Sequence, residues 1–480
     1  MAADELQSIA VVVYGEQIGR SWDFIRASQI SFRSPLMRRA RGVEMGSIES
    51  RIADVAEHAV FPNPISRRAF MTVATAAGVA LGVGGRAGLA SAGPLRGARP
   101  GTAPGDVITG PTYCQVTTLS NDFFVAFNDG AKLFSSALGL DLTTLEDDAN
   151  VNTAISQVGN IQTAGGQMMF GTPATEAQAE AVIRACEEAG IYYGSAYTAP
   201  PFFTPADAPT WIRFLTPPSV AIAYQTAKAL MEEVGGAGTI VHVPGQPGSS
   251  ADHQRTGGLL QAAAEYPDIE IVTTSPGNWI AEDARIAFSN ALPSISDFVG
   301  VYAQNDSEAT GVIAALDAQG ITGKVVTGFD GNAQNIQLIA DGKQFLTSAT
   351  IGGVTAALLG VAVFDALNGV EFALPERFMF QGAVLVKSDF AGEFLENIYS
   401  GDLPFEWEKM SRALHPDDWD PQTLLQPIVP ADFFAEAEPG DFELNPAWEA
   451  ETANIEATAT EYRERFAAGP LVAYKDSMVA

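Results

Sequence analysis

The stretch from Phe298 to Gly331, FVGVYAQNDSEATGVIAALDAQGITGKVVTGFDG, constrains the fold of this chain more than any other. FVGVYA is a short apolar run ended by the polar Gln304-Asn305-Asp306, which reads as a buried strand. Ser307 to Gln319 sets Val312, Ile313 and Leu316 at helical spacing, with Ser307 or Asp306 as N-cap and Gly320 as C-cap. VVTGF is a second buried strand, and a crossover of this length joins parallel neighbours. Asn305 and Asp330 therefore fall just past the carboxyl ends of adjacent strands, where open parallel sheets bind ligands. Asn305 offers a donor and an acceptor and Asp330 two acceptor oxygens, which suits a small ligand with several hydroxyls. Asn-Asp and Asp-Gly are also ordinary turn sequences, and spacing alone leaves both readings open.

Similar alternation runs through most of the chain. After a first strand over Val107 to Thr117, Ser120-Asn121-Asp122 caps a helix whose Phe123, Phe124, Phe127 and Leu133 form a stripe. Apolar strands regularly followed by helices then continue, as in a doubly wound sheet. The aromatic stripe reads equally as core.

AQND, a helix and GFDG, together with Asn121 followed by paired phenylalanines, resemble the ribose-type periplasmic sugar-binding proteins of ABC importers. The resemblance spans about Asp106 to Phe390. It implies an α/β fold of two doubly wound parallel-sheet lobes joined by a multi-strand hinge, with a C-terminal extension. Residues 106–216 and 353–378 would form lobe 1, residues 217–352 and 379–392 lobe 2, and residues 393–480 the extension. It also implies that Asn121, Asn305 and Asp330 hydrogen-bond the ligand, and that Arg255 donates to it bidentately. Phe123, Phe124 and Trp279 would cover its apolar CH face from opposite lobes. The chain departs from the pattern at two points. Tyr197-Thr198 stands where many members carry Asp-Arg or Asp-Ser, which puts Tyr197 in the site. Ile351-Gly352-Gly353 stands where a Gln is frequent. The implied ligand is a sugar or sugar-like polyol, with pentose or hexose left open.

The net charge is −30, unevenly spread: residues 1–92 carry ten Arg, no Lys and eight acidic residues. The remainder is strongly acidic, which repels phosphate backbones and anionic lipid and disfavours nucleic acid as a partner. Within the basic part, paired Arg67 and Arg68, an Ala/Gly-rich apolar run and Ala90-Ser91-Ala92 resemble a twin-arginine export signal with its cleavage site. Residues 1–92 then form an N-terminal extension plus signal, residues 93–105 a flexible leader, and the mature chain begins at Gly93; Met45 is an alternative start. Gly82, Gly84 and Ala87 mimic a dinucleotide fingerprint, but no strand precedes them. No cysteine follows the apolar run to accept lipid, so the expectation is a free periplasmic monomer that works with an inner-membrane ABC permease.

Cys114 and Cys186 can either bridge or remain two buried thiols, the second being favoured. Gly245 and Gly248 before a helix can cradle an anion, although the lysine of a phosphate loop is missing. His415 with Asp417, Asp418 and Asp420 offers metal-ligand types within ordinary turn sequence. Gly353 to Asn368 is apolar but short for a membrane span and contains Asp365, which favours a buried helix. A solute-binding protein without cofactor is the leading reading. The alternatives are a sensor that presents its occupied form to a membrane receptor, and an exported enzyme, for which no Ser elbow, metal pair or phosphate loop is present in the sequence.

Overall fold

The computed structural model describes residues 107–479 apart from residues 296 and 438–442. The N-terminal extension, the twin-arginine motif and the leader lie outside the described residues. Two seven-stranded sheets organise the rest. The first half of the chain alternates β1 (Pro111–Val116), α1 (Asp122–Ala137), β2 (Asp141–Glu146), α2 (Val151–Thr163), β3 (Met168–Gly171), α3 (Glu176–Ala189), β4 (Tyr192–Ala196) and β5 (Trp211–Thr216). The second half repeats the scheme with α4 (Ser219–Glu233), β6 (Ala237–Val243), α5 (Ser250–Ala263), β7 (Asp268–Thr273), α6 (Ala281–Ala291), β8 (Gly300–Ala303), α7 (Asp306–Gln319), β9 (Val325–Asp330), α8 (Ala333–Ala340) and β10 (Leu346–Ala349). A long helix α9 (Gly352–Leu367) and the strands β11 (Phe378–Gln381) and β12 (Ala383–Lys387) follow. Beyond them lie α10 (Ala391–Tyr399), β13 (Leu425–Pro427), α11 (Pro430–Ala437), α12 (Ala447–Arg465) and β14 (Met478–Val479).

The strand orders are β13-β11-β5-β4-β3-β1-β2 and β7-β6-β8-β9-β10-β12-β14. All pairs are parallel except β11–β13, β10–β12 and β12–β14. These are the two doubly wound lobes expected from the sequence. Each sheet reverses its winding direction once, at β1/β3 and at β6/β8, and the clefts beyond the carboxyl ends of those strands are the places a parallel sheet leaves open for a ligand.

Helix α9 shows how the first lobe is held. Its residues from Gly352 to Asp365 are all buried, so it is a core helix; no described helix is long and apolar enough to cross a membrane. It approaches α1 at a glycine contact, where a Cβ on Gly130 would lie 2.2 Å from the Cα of Gly353. Side chains there would force the helices apart and open a gap in a core whose leucines and phenylalanines each contribute about 1.5–3 kcal/mol by burial. Asp365, the one charge on α9, accepts from the backbone N–H groups of Arg412 and Ala413 at 2.8 and 3.1 Å and from the Ser411 hydroxyl. A carboxylate inside an apolar helix is thus satisfied by the C-terminal segment folded over it.

Three details differ from the sequence expectation. The first strand begins at Pro111 rather than Val107. Strand β11 pairs with β5 in the first sheet, so the third passage between the lobes falls at Gly382 rather than at residue 379. The extension is woven into both lobes, since β13 edges the first sheet and β14 the second. Cys114 and Cys186 are both free and fully buried, so burial in apolar surroundings holds both thiols in the protonated form.

Candidate functional site

The pentad Gln304 to Glu308, between β8 and the first turn of α7, builds the second-lobe wall. Asn305 is the N-cap of α7: its Oδ1 accepts from the Glu308 N–H at 2.8 Å. The sequence had assigned the cap to Ser307 or Asp306. Asp306 instead turns inward, where its Oδ2 accepts from the N–H groups of Gly331 and Asn332 at 2.9 and 2.8 Å and its Oδ1 from the Thr347 hydroxyl at 2.7 Å. It therefore fixes the turn after Asp330, whose own φ of 107° is unusual for a residue with a side chain. Glu308 is buried, and its two oxygens accept from the N–H groups of Trp279 and Gln304, each at 3.1 Å. The Gln304 carbonyl in turn accepts from Arg255, and its side-chain amide lies 2.9 Å from Nε2 of His242, which burial holds down at about 4 and hence neutral.

This scaffold presents Asp330, Arg255 and Trp279 to one space. Arg255 lies 3.6 Å from Asp330 Oδ1, with both side chains almost fully buried. Its guanidinium stacks over Phe329 at 4.7 Å and Trp279 at 5.4 Å. Burial pushes the Asp330 carboxyl up to about 7, against the pull of Arg255. Trp279 is half-buried, and its ring lies flat on Gly245, where a Cβ would come within 1.9 Å of it. The Gly245 N–H is held by Asp252 Oδ1 at 3.0 Å. The glycine loop is therefore filled by a carboxylate and covered by an indole, which leaves it unsuited to an anion.

The first-lobe wall comes from the start of α1 and the ends of β1, β3 and β4. Asn121 caps α1 through Oδ1, which accepts from the Phe123 N–H at 2.8 Å, while its Nδ2 donates across the cleft to the Trp279 carbonyl. Phe123 packs edge-on against Phe124 and Tyr197, with ring centres 5.4 and 5.1 Å apart. Tyr197 has a φ of 68° and shares a hydrogen bond of 3.2 Å with the Thr350 hydroxyl.

All eight residues singled out from the sequence, Asn121, Phe123, Phe124, Tyr197, Arg255, Trp279, Asn305 and Asp330, line one cavity of about 60 Å³ between the lobes. Sequence reasoning missed others on the same surface, among them Thr117, Thr172, Thr198, Gln246 and Ser249. Thr117 and Thr172 directly follow β1 and β3, a position that marks them by the same rule that marked Asn305. Their hydroxyls are buried without a protein partner, which in a native core calls for an explanation such as a ligand or water. The arrangement offers aromatic faces, a carboxyl–guanidinium pair and several hydroxyls, the combination that suits a small neutral molecule with both CH faces and hydroxyl groups. Away from it, Asp418 pairs with Lys409 and with His415 at 3.1 Å, and no described cluster of His, Cys, Asp or Glu has the composition to hold a metal.

Residues 115–369, just over half of the chain, match the model of the periplasmic binding protein domain. The chain is 26% identical over 248 residues to the xylitol-binding protein of Mycolicibacterium smegmatis, covering 52% of this chain and 69% of that protein. It is 25% identical over 250 residues to the ribose import binding protein of Salmonella typhimurium, covering 52% and 82%. Among solved structures, it shares its fold with a twin-arginine translocation pathway signal protein from Burkholderia phytofirmans, at a TM-score of 0.57 and 24% identity over 61% of this chain and 93% of that one. An ABC transporter periplasmic solute-binding protein from Actinobacillus succinogenes with bound D-allose matches at a TM-score of 0.52 and 24% identity, over 60% and 100%. The chain belongs to the periplasmic binding protein domain family, with ribose-type members among its relatives.

Proposed function

We propose that this protein captures a small polyhydroxylated solute, a sugar or polyol, between its lobes and delivers it to an ABC import permease. One observation carries the reading: residues from both lobes converge on a single cavity in which Asp330 and Arg255 face Phe123, Phe124 and Trp279. Asn121, Asn305, Asp330 and Arg255 supply hydrogen bonds to the solute, the three aromatic side chains cover its CH face, and Tyr197 walls the hinge end. The relatives' ligands, xylitol, ribose and D-allose by name, fall in the same chemical class. A thermal-shift screen over pentoses, hexoses and polyols tests it. A ligand at a hundred times its dissociation constant stabilises the folded state by about 2.7 kcal/mol, and a flat response across that panel speaks against the reading.

Solute binding should depend on pH through Asp330. Its carboxyl, at about 7 in the ligand-free protein, holds its proton far more tightly than an exposed aspartate. The stabilisation that proton gives the ligand-free fold is full below about 4 and lost as pH rises towards 7. Solute hydroxyls that donate to Asp330 favour its ionised form, so binding expels the proton below pH 7. Affinity should rise with pH up to about 7, by at most about tenfold per unit, and be flat above it. Calorimetry in buffers of different ionisation enthalpy reads the proton released; no release at pH 6 would exclude the ionised Asp330 carboxylate as the contact.

Within this reading the protein works as a periplasmic monomer exported by the twin-arginine route. Replacing Arg67 and Arg68 with Lys should leave the precursor in the cytoplasm, and N-terminal sequencing of exported protein should find Gly93 first. Finding residue 1 or 45 at the start of the periplasmic protein would contradict the assigned signal.

A further inference from the structure

Beside the cavity, two helix N-termini from different lobes meet head to head. Helix α3 of the first lobe begins at Glu176 behind its cap Thr175, and helix α5 of the second begins at Ser250. The Glu176 N–H donates to the Gly248 carbonyl at 3.0 Å, and Gly248 presents that carbonyl through a φ of 81° that glycine adopts without strain. The Ser250 hydroxyl donates to Glu176 Oε1 at 2.8 Å and lies 3.2 and 3.3 Å from the carbonyl and N–H of Ala199 in the first lobe. His253, one turn further along α5, has Nδ1 3.8 Å from the same carboxylate oxygen. Ser250 is buried in this contact and the Glu176 side chain only 19% exposed. None of Glu176, Ser250 and His253 lines the cavity.

Each helix N-terminus carries about half a positive charge, so bringing two together opposes closure unless an anion lies between them. The Glu176 carboxylate occupies that place. When the lobes part, water takes over the hydrogen bonds of Ser250 and Glu176 separately, and the link between the lobes is gone. We propose that Glu176 and Ser250 form an inter-lobe latch that stabilises the closed state without touching the ligand. The inference rests on the reading that closure captures the solute, and it adds that part of the closing free energy is built into the protein. Whatever favours the closed over the open state multiplies affinity, and here it does so by slowing release.

The test places spin labels at Ile155→Cys on α2 and Ile286→Cys on α6, exposed positions on opposite lobes. Cys114 and Cys186 are fully buried and stay unlabelled. Inter-label distances in the ligand-free protein, measured by pulsed electron resonance, should lengthen in Glu176→Ala and Ser250→Ala. The open-to-closed ratio should rise about five- to tenfold in each. The double variant should exceed the larger single effect only slightly, because the two groups act through one contact. Release of xylitol, used as the probe, should accelerate by the same factor. Unaltered distances, or fully additive effects, would overturn the latch. A protein that binds neither xylitol nor any other sugar tells against the proposed function, whereas the ligand-free distances decide the latch in either case.

Discussion

Asp330→Ala is expected to weaken solute binding by about 2–4 kcal/mol, on the order of 30- to 1000-fold, while the protein still folds. The carboxyl is buried at the carboxyl end of β9, and its removal deletes two acceptor oxygens at the cavity wall. Arg255 keeps its hydrogen bond to the Gln304 carbonyl and its contacts with the faces of Phe329 and Trp279, and as a donor-only group it cannot take the place of the lost acceptor. The ligand-free protein loses less, because burial already holds Asp330 close to half-protonated near neutrality and the ion pair is correspondingly incomplete. Asp330→Asn preserves shape at the unusual φ and separates loss of charge from loss of the turn. Titration calorimetry and melting curves of the three proteins check this. An unchanged affinity in the alanine variant would reduce Asp330 to a turn residue.

The second large effect is expected at Trp279, where replacement by Ala should cost about 1–3 kcal/mol of binding and leave the melting temperature of the ligand-free protein nearly unchanged. The loop does not depend on its indole: Glu308 holds the Trp279 N–H, and the Trp279 carbonyl accepts from Asn121 and, at 3.5 Å, from Asn305. What the ring contributes beyond its contacts with Gly245 and Arg255 is the part of its surface that lines the cavity. Solute should accordingly alter tryptophan emission in the parent and much less in the variant. A large loss of stability with affinity intact would place the indole in the core and detach it from binding.

The unit over residues 298–331 was legible because three independent signals agreed there: apolar runs of strand length, a helix-spaced stripe and polar residues at each strand end. β8, α7 and β9 lie where those signals put them. The cap was misjudged because Asn305, Asp306 and Ser307 are all good cap formers, and only the turn at Gly331, which needs an acceptor, draws Asp306 away. The eight cavity residues converge because both lobes repeat one winding scheme, so strand ends marked by polar or aromatic residues meet at the two switch points. Glu308 was not legible. In sequence it is a first-turn glutamate of an ordinary helix, and nothing local shows that both its oxygens are spent on the backbone of the Trp279 loop and of Gln304. The joining of β13 and β14 to the two sheets was equally hidden, since strands as short as these leave no periodic trace and owe their form to the sheet edges they join.

Titration calorimetry of the parent protein and Asp330→Ala against ribose, xylitol, D-allose and myo-inositol tests the central claim most directly. Capture of a polyhydroxylated solute between the lobes predicts one-to-one binding of at least one of these by the parent, lost or reduced at least about 30-fold in the variant. Binding by neither protein, or equal binding by both, would contradict it.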